Sequence, residues 1–279
     1  MPAMKDHLQR QIFICGIGLR APHHLTIETL DALDKCNLIF SILQESDKQY
    51  LPRSLQNKFV SLWSLYQPGE LRSVSYQKQV NKIIDEAIRN SPIAYLTQGN
   101  PVFFDSVTQG IIREGKLNSI NVEVLPAISS LDTIFVDLLI DVAPGLQIYE
   151  ASALMLHNIE LRTDVPCMLL QPHVFGTLYV AGENKPMVES LKPLRDYLLK
   201  FYDKDHEIAS VTSATSRTKK AFIRRYPLGH LGDPQSPLYE IGASLFIPPS
   251  TVLKQDTKFL SDMLDLEKMH ETYGIDSAG

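Results

Sequence analysis

The chain has 279 residues, 44% hydrophobic and 21% charged, with a formal net charge of −5. That length suits one large α/β domain or two smaller ones, and the acidic balance argues against a sequence-independent nucleic-acid binder, which needs a basic excess to neutralise phosphates. The three scattered cysteines (Cys15, Cys36, Cys167), the eight histidines without HxxxH or HExxH spacing, and a longest apolar stretch interrupted by Asp137 and Asp141 argue against a disulfide framework, a metal site and a membrane span.

The opening residues show no basic-then-apolar leader, and a reducing cytoplasm is the expected compartment. Residues 12–15 read as a buried strand that breaks into the small-residue turn Gly16-Ile17-Gly18. From Leu25 to Cys36, Ile27, Leu30 and Leu33 recur at helical spacing, with Thr26 as the cap. Leu38 to Leu43 reads as a second strand. After a loop-like stretch containing Tyr66, Pro68 and Gly69, a helix follows from Tyr76 to Ile88, with Tyr76, Val80, Ile83, Ile84 and Ala87 on one face. A strand at 93–96 runs into Gly99-Asn100-Pro101, and a helix covers about Ser106 to Glu114. A strand at 122–125 then runs into Pro126-Ala127-Ile128-Ser129-Ser130, where Ser129 and Asp132 form a capping-box pattern. This alternation predicts a mostly parallel sheet.

The second half carries short strands at Gln147–Tyr149, Met168–Gln171, Glu207–Val211 and Ser244–Ile247, with a helix at Met187–Phe201. The basic cluster Arg217 to Arg225 reads first as a solvated helix face or strand edge. These patterns predict an N-terminal α/β domain over 1–125, a C-terminal α/β domain with a mixed sheet over 126–250, and a helical tail over 251–279 with one amphipathic helix at Phe259–Met269.

Three times an apolar run breaks into a tight turn and restarts as a helix. Turns at the carboxyl ends of strands expose backbone groups that hold small ligands, so three of them suggest one shared cleft. A lone GxG is weak evidence for a nucleotide, since the third glycine of the dinucleotide fingerprint is missing. Together, however, Gly16-Ile17-Gly18 with Leu25-Thr26-Ile27, Gly99-Asn100-Pro101-Val102-Phe103 and residues 126–130 resemble the tetrapyrrole-methylase superfamily over about residues 10–250. The resemblance implies two α/β domains with S-adenosylmethionine in the cleft between them. It further implies cofactor contacts from Gly16, Gly99, Asn100, Val102, Phe103, Ser129, Ser130, Gln171, Gly242, Ala243 and Ser244, and no metal. Two positions depart from the superfamily pattern: Asn100 replaces the usual acid and Ala127 the usual glycine.

A narrower resemblance lies in Leu62 to Tyr76, in Val136-Asp137-Leu138-Leu139-Ile140-Asp141, in Tyr149-Glu150-Ala151-Ser152 and in Phe246-Ile247-Pro248-Pro249. These are similar to the borosin-type peptide backbone N-methyltransferases of peptide natural-product biosynthesis, in which the residues matching Tyr66, Arg72 and Tyr76 carry catalysis. Trp63 stands where that family has a further tyrosine. The residues between the last helix and Gly279 hold no apolar core-peptide run. The resemblance therefore implies a separate precursor peptide as substrate, and a homodimer to enclose it.

The physical chemistry is compatible with that implication. A peptide nitrogen is a poor nucleophile because its lone pair is delocalised into the carbonyl. Methylating it requires a polarised carbonyl oxygen and loss of the N–H proton. An arginine beside a tyrosine favours the phenolate, which is then a usable base. The same guanidinium can steady charge on the amide oxygen. Other readings stay open: Tyr76 as core packing, Arg72 as a helix-start charge, and Asp137, Asp141 and Glu150 as turn or helix-end carboxylates. Two other functions stay open too, a small-molecule methyltransferase of the tetrapyrrole type and a binding module without turnover.

Overall fold

β1 (Gln11–Gly16) sends alternate side chains into two separate cores, Ile12 and Ile14 to one face and Cys15 to the other. The structure, a computed structural model, describes residues 10–180, 188–233 and 242–273. After β1 come α1 (Ile27–Lys35), β2 (Leu38–Ser41), α2 (Arg53–Gln56), β3 (Phe59–Ser61), α3 (Arg72–Asn90), β4 (Ile93–Thr97), α4 (Ser106–Leu117) and β5 (Asn121–Val124). Their five strands form one wholly parallel sheet in the order β3-β2-β4-β1-β5. Apolar residues of α3 and α4 cover one face and those of α1 and α2 the other, so the central strands are apolar on both sides and lack the alternation of a half-exposed strand. Thr26 caps α1 as expected, its Oγ1 accepting from Thr29 N at 3.0 Å.

α5 (Ser130–Leu138) leads to a second sheet built from β6 (Gln147–Glu150), β7 (Cys167–Leu170), β8 (Glu207–Thr212), β9 (Phe222–Pro227) and β10 (Ser244–Ile247). Its order is β6-β7-β10-β8-β9, parallel only between β6 and β7. α6 (Ala151–Leu156) and α7 (Lys192–Leu198) pack on one face. Ile134 and Leu138 of α5 pack on the other, joined by Phe103 from the turn after β4. Phe103 thus makes an apolar contact between the first half and the second sheet.

Several expected boundaries shift. α3 begins at Arg72 rather than Tyr76, which puts the two residues one helical turn apart. The helix expected at Met187–Phe201 is a 3-10 turn, Val188–Leu191, followed by α7, with Pro193 in the first turn where its missing N–H costs nothing. Met187 lies outside the described residues. The tail helix divides into α8 (Thr257–Met263) and α9 (Leu266–Tyr273), because Asp265 accepts from the N–H groups of Glu267 and Lys268 at 3.0 and 3.2 Å and caps a new helix. Part of the basic cluster is β9, at the edge of the second sheet. Among the described residues no helix is long and apolar enough to cross a membrane.

Candidate functional site

β4, β1 and β5 are neighbours and run parallel, so the turns that leave their carboxyl ends lie side by side. Gly16 is where they meet. A Cβ built there would sit 2.1 Å from the Gly99 carbonyl oxygen, 2.5 Å from the Ala127 Cβ and 3.1 Å from Pro101 Cδ. Ile17 N donates to Thr97 O at 2.8 Å and Gly99 N to Gly18 O at 3.1 Å, which locks the first two turns together. Asn100 links the second to the third: its Nδ2 donates to the Ala127 carbonyl oxygen at 2.9 Å, while its Oδ1 accepts from Val102 N at 3.1 Å. The two departures from the superfamily pattern therefore touch each other. Beyond them the capping box forms as expected, with Ser129 N donating to Asp132 Oδ2 at 2.6 Å and Leu131 N to Ser129 Oγ at 3.1 Å.

An inner cavity of about 470 Å³ lies beside these turns, between the sheets, with Leu19 just after the first turn, Gly99 and Asn100 of the second and Ser130 of the third in its wall. Of the expected cofactor residues, Gly99, Asn100, Phe103, Ser130, Gln171, Gly242, Ala243 and Ser244 are in its wall. Gly16 and Ser129 are not: the first packs the turns together and the second spends its hydroxyl on the helix cap. Val102 faces an adjoining outer cavity of about 680 Å³ between α3, α4 and the second half. Tyr66 lines the inner space, Arg72 the outer one, and Tyr76 both. The boundary between the two is shared by Tyr76, Phe104, Asp105, Ser106 and Gln171. Two of these, Phe104 (φ 58°) and Gln171 (φ 55°), are left-handed although neither is glycine, a conformation that persists only where the surroundings impose it.

The Tyr66 and Tyr76 rings meet edge-on, centroids 5.9 Å apart, and Trp63 lies 5.7 Å from Tyr66. Arg72 donates from its guanidinium to Thr177 O at 2.5 Å and from its backbone to Leu178 O at 2.9 Å, so it ties the start of α3 to the second half. Its charge does pull both phenols towards ionisation, but it does not win. Burial pushes Tyr66 and Tyr76 above the ordinary tyrosine range, with Tyr76 and Asp105 adding to the effect on Tyr66. The expectation of a resting phenolate is corrected accordingly: burial outweighs the Arg72 charge, and the neutral hydroxyl is favoured.

The sequence reading missed four residues of the site. Tyr95 is fully buried, and its hydroxyl donates to Asp105 Oδ2 at 3.2 Å. Asp105 Oδ1 caps α4 by accepting from Thr108 N at 3.0 Å. His173 and Thr212 line the inner cavity, and their buried Nδ1 and Oγ1 have no protein partner. Burial, and then the nearby Arg72 charge, hold His173 neutral. Only Tyr95 carried a usable signal, a phenol inside an apolar strand, since such a hydroxyl needs a partner.

The remaining acids have local tasks. Asp141 accepts from Ala143 N at 2.9 Å in a turn, and Glu150 caps α6 through Ala153 N at 2.7 Å. Asp137 accepts from Ser213 Oγ at 2.6 Å and lies 3.9 Å from Arg20, which in turn donates to Ala214 O at 2.9 Å. Among the described residues no His, Cys, Asp and Glu cluster could hold a metal ion.

The family model for tetrapyrrole (corrin/porphyrin) methylases matches residues 11–231. Among curated proteins, the chain is 24% identical to a methyltransferase/ribosomally synthesized type II borosin cyclic peptide precursor of Phlebiopsis gigantea, over 76% of this chain and 38% of that protein. It is also 24% identical to the methyltransferase/ribosomally synthesized cyclic peptide gymnopeptides precursor of Gymnopus fusipes, over 94% and 63%. The chain thus spans less than two thirds of the length of either. Among solved structures, the methyltransferase CobJ superposes with a TM-score of 0.62 at 12% identity, covering 88% of this chain and 96% of that one. Uroporphyrin-III C-methyltransferase of Thermus thermophilus, complexed with S-adenosylhomocysteine, gives 0.55 at 13%, covering 85% and 92%. Both likenesses establish the fold.

Proposed function

Because the chain belongs to the tetrapyrrole methylases, we propose that it is an S-adenosylmethionine-dependent methyltransferase acting on backbone amides of a peptide. The observation that carries the reading is the pair of adjoining cavities, one lined by Gly99, Asn100 and Ser130 of the second and third turns and the other walled by Arg72 and Tyr76. The inner volume suits a small ligand, and its two unpartnered polar atoms, Thr212 Oγ1 and His173 Nδ1, suit one with donors and acceptors of its own. When bound there, S-adenosylmethionine supplies an electrophilic methyl group on a sulfonium sulfur.

The peptide belongs in the outer cavity in this reading, with one amide reaching the boundary at Tyr76. Neutral Tyr66 and Tyr76 hydroxyls donate to the amide oxygen and draw density towards the imidate form, and the Arg72 charge steadies the oxygen as it becomes negative. The residues at the boundary hold the nitrogen in line with the methyl group in this reading, and positioning is the main contribution the protein can make to a displacement. The two curated relatives, named as cyclic peptide precursors, support the peptide. The outer wall supports it too: Arg72 and Arg113 are matched there by Asp105 and Glu150, whereas a polycarboxylate tetrapyrrole needs a basic excess. The substrate is taken as a separate chain, and two copies of the enzyme are taken to enclose it.

The test is mass spectrometry of candidate peptides after incubation with the protein and S-adenosylmethionine, with light scattering on the same sample. Added methyl groups located on backbone nitrogens support the reading, and Tyr66→Phe then lowers turnover much more than cofactor affinity. Methyl groups on side chains, or none at all, overturn it.

A further inference from the structure

If Tyr66 and Tyr76 stay protonated, some other group must take the amide proton. It has to lie at the boundary, where the nitrogen is attacked, and it has to be a proton acceptor there. His173 faces only the inner space and Glu150 only the outer one, so neither lies at the boundary. Among the described residues, Asp105 is the one carboxylate in the walls of both cavities.

We propose that the Asp105 carboxylate is the general base of the transfer. This rests on the peptide-methylating reading above. Two bonds fix the carboxylate, from Thr108 N at 3.0 Å to Oδ1 and from the Tyr95 hydroxyl at 3.2 Å to Oδ2, and each carboxylate oxygen keeps a further lone pair. The Asp105 charge also helps to keep Tyr66, Tyr76 and Tyr95 protonated. In the step, the amide nitrogen gives its N–H proton to an Asp105 oxygen and its electron pair to the methyl carbon. The carbon–sulfur bond breaks with both electrons left on sulfur. The products are N-methylated amide, S-adenosylhomocysteine and protonated Asp105, whose proton passes to water through the outer cavity.

The helix cap that makes Asp105 look structural also makes the test clean, because asparagine caps helices as well as aspartate does. Asp105→Asn is expected to keep the wild-type melting temperature and S-adenosylhomocysteine affinity within twofold, while single-turnover methyl transfer falls about 100-fold. A fall of tenfold or more with binding intact supports the proposal, and a smaller one overturns it. Should the variant lose its fold, Asp105→Ser, also a capping residue, is assayed with added formate: recovery of the rate supports the proposal and no recovery overturns it. Wild-type protein that methylates no peptide overturns the functional reading and the proposal with it. Methylating wild type beside an equally fast Asp105→Asn overturns the proposal alone.

Discussion

The side-chain amide of Asn100 donates to the backbone carbonyl of Ala127 at 2.9 Å. This bond joins the turn after β4 to the turn after β5. A carboxylate at position 100 has no proton to give and would face the carbonyl oxygen with its own negative charge. Asn100→Asp is therefore expected to destabilise the chain by about 1–2 kcal/mol, with a matching loss of S-adenosylhomocysteine affinity. Urea denaturation and calorimetry check it. An unchanged midpoint refutes the idea that this bond supports the site.

Gly16→Ala is the second prediction. The added methyl would meet the Gly99 carbonyl oxygen at 2.1 Å and the Ala127 Cβ at 2.5 Å, so both a backbone and a side chain must move. A loss of roughly 3 kcal/mol or more in a chemical denaturation curve is expected. Adding Ala127→Gly removes only one of the two clashes and should recover less than half of the loss.

The buried phenols contribute to the alkaline limit of stability beside the thiols of Cys15, Cys36 and Cys167, which burial also raises. Tyr66, Tyr76 and Tyr95 are all raised by burial, so the unfolded chain gives up these protons first as pH rises. Their contribution is complete below the unfolded tyrosine value of ~10 and is lost as pH climbs above it. His173 works in the opposite sense: burial lowers it, so stability falls as pH drops below ~6.5, where the unfolded histidine takes up its proton first. Melting temperatures across pH should fall on both sides of a neutral plateau. Tyr66→Phe should flatten the alkaline side and His173→Gln the acid side.

Asp137 holds the hydroxyl of Ser213, next to Thr212 in the wall of the inner cavity, and sits 3.9 Å from Arg20 in the segment after the first turn. Asp137→Ala leaves Ser213 without that acceptor at a part-buried position. A weakening of S-adenosylhomocysteine binding by about 1 kcal/mol is expected in titration calorimetry, with transfer at saturating cofactor little changed. A drop in transfer alone would show that Asp137 acts on chemistry and not on the cleft.

Much of the fold was legible because its signals are local. Thr26, Ser129 and Asp132 cap their helices as their spacing implies. The apolar runs at β1 and β4 read as buried strands because both faces are covered, whereas β5 is an edge strand that buries only part of one face. β3 and β9 were missed as strands: one spans only Phe59–Ser61, and the other is an edge strand with two exposed arginines. Of the site, the three turns, Tyr66, Arg72 and Tyr76 could be named from motifs. Asp105 could not, since a capping aspartate before an apolar helix has the same local pattern whether or not a cavity lies beyond it.

By itself, then, the sequence determined the strands β1 and β4, the caps of α1 and α5 and the three small-residue turns, because each depends on neighbours a few residues away. Only the tertiary structure decided that β4, β1 and β5 stand side by side, that Gly16 must lack a side chain, and that Asn100 reaches Ala127. It also decided the protonation of the tyrosines. Arg72 is near Tyr76 in the chain and its pull could be anticipated. The partial burial of both rings is a property of tertiary packing, and it is the stronger effect.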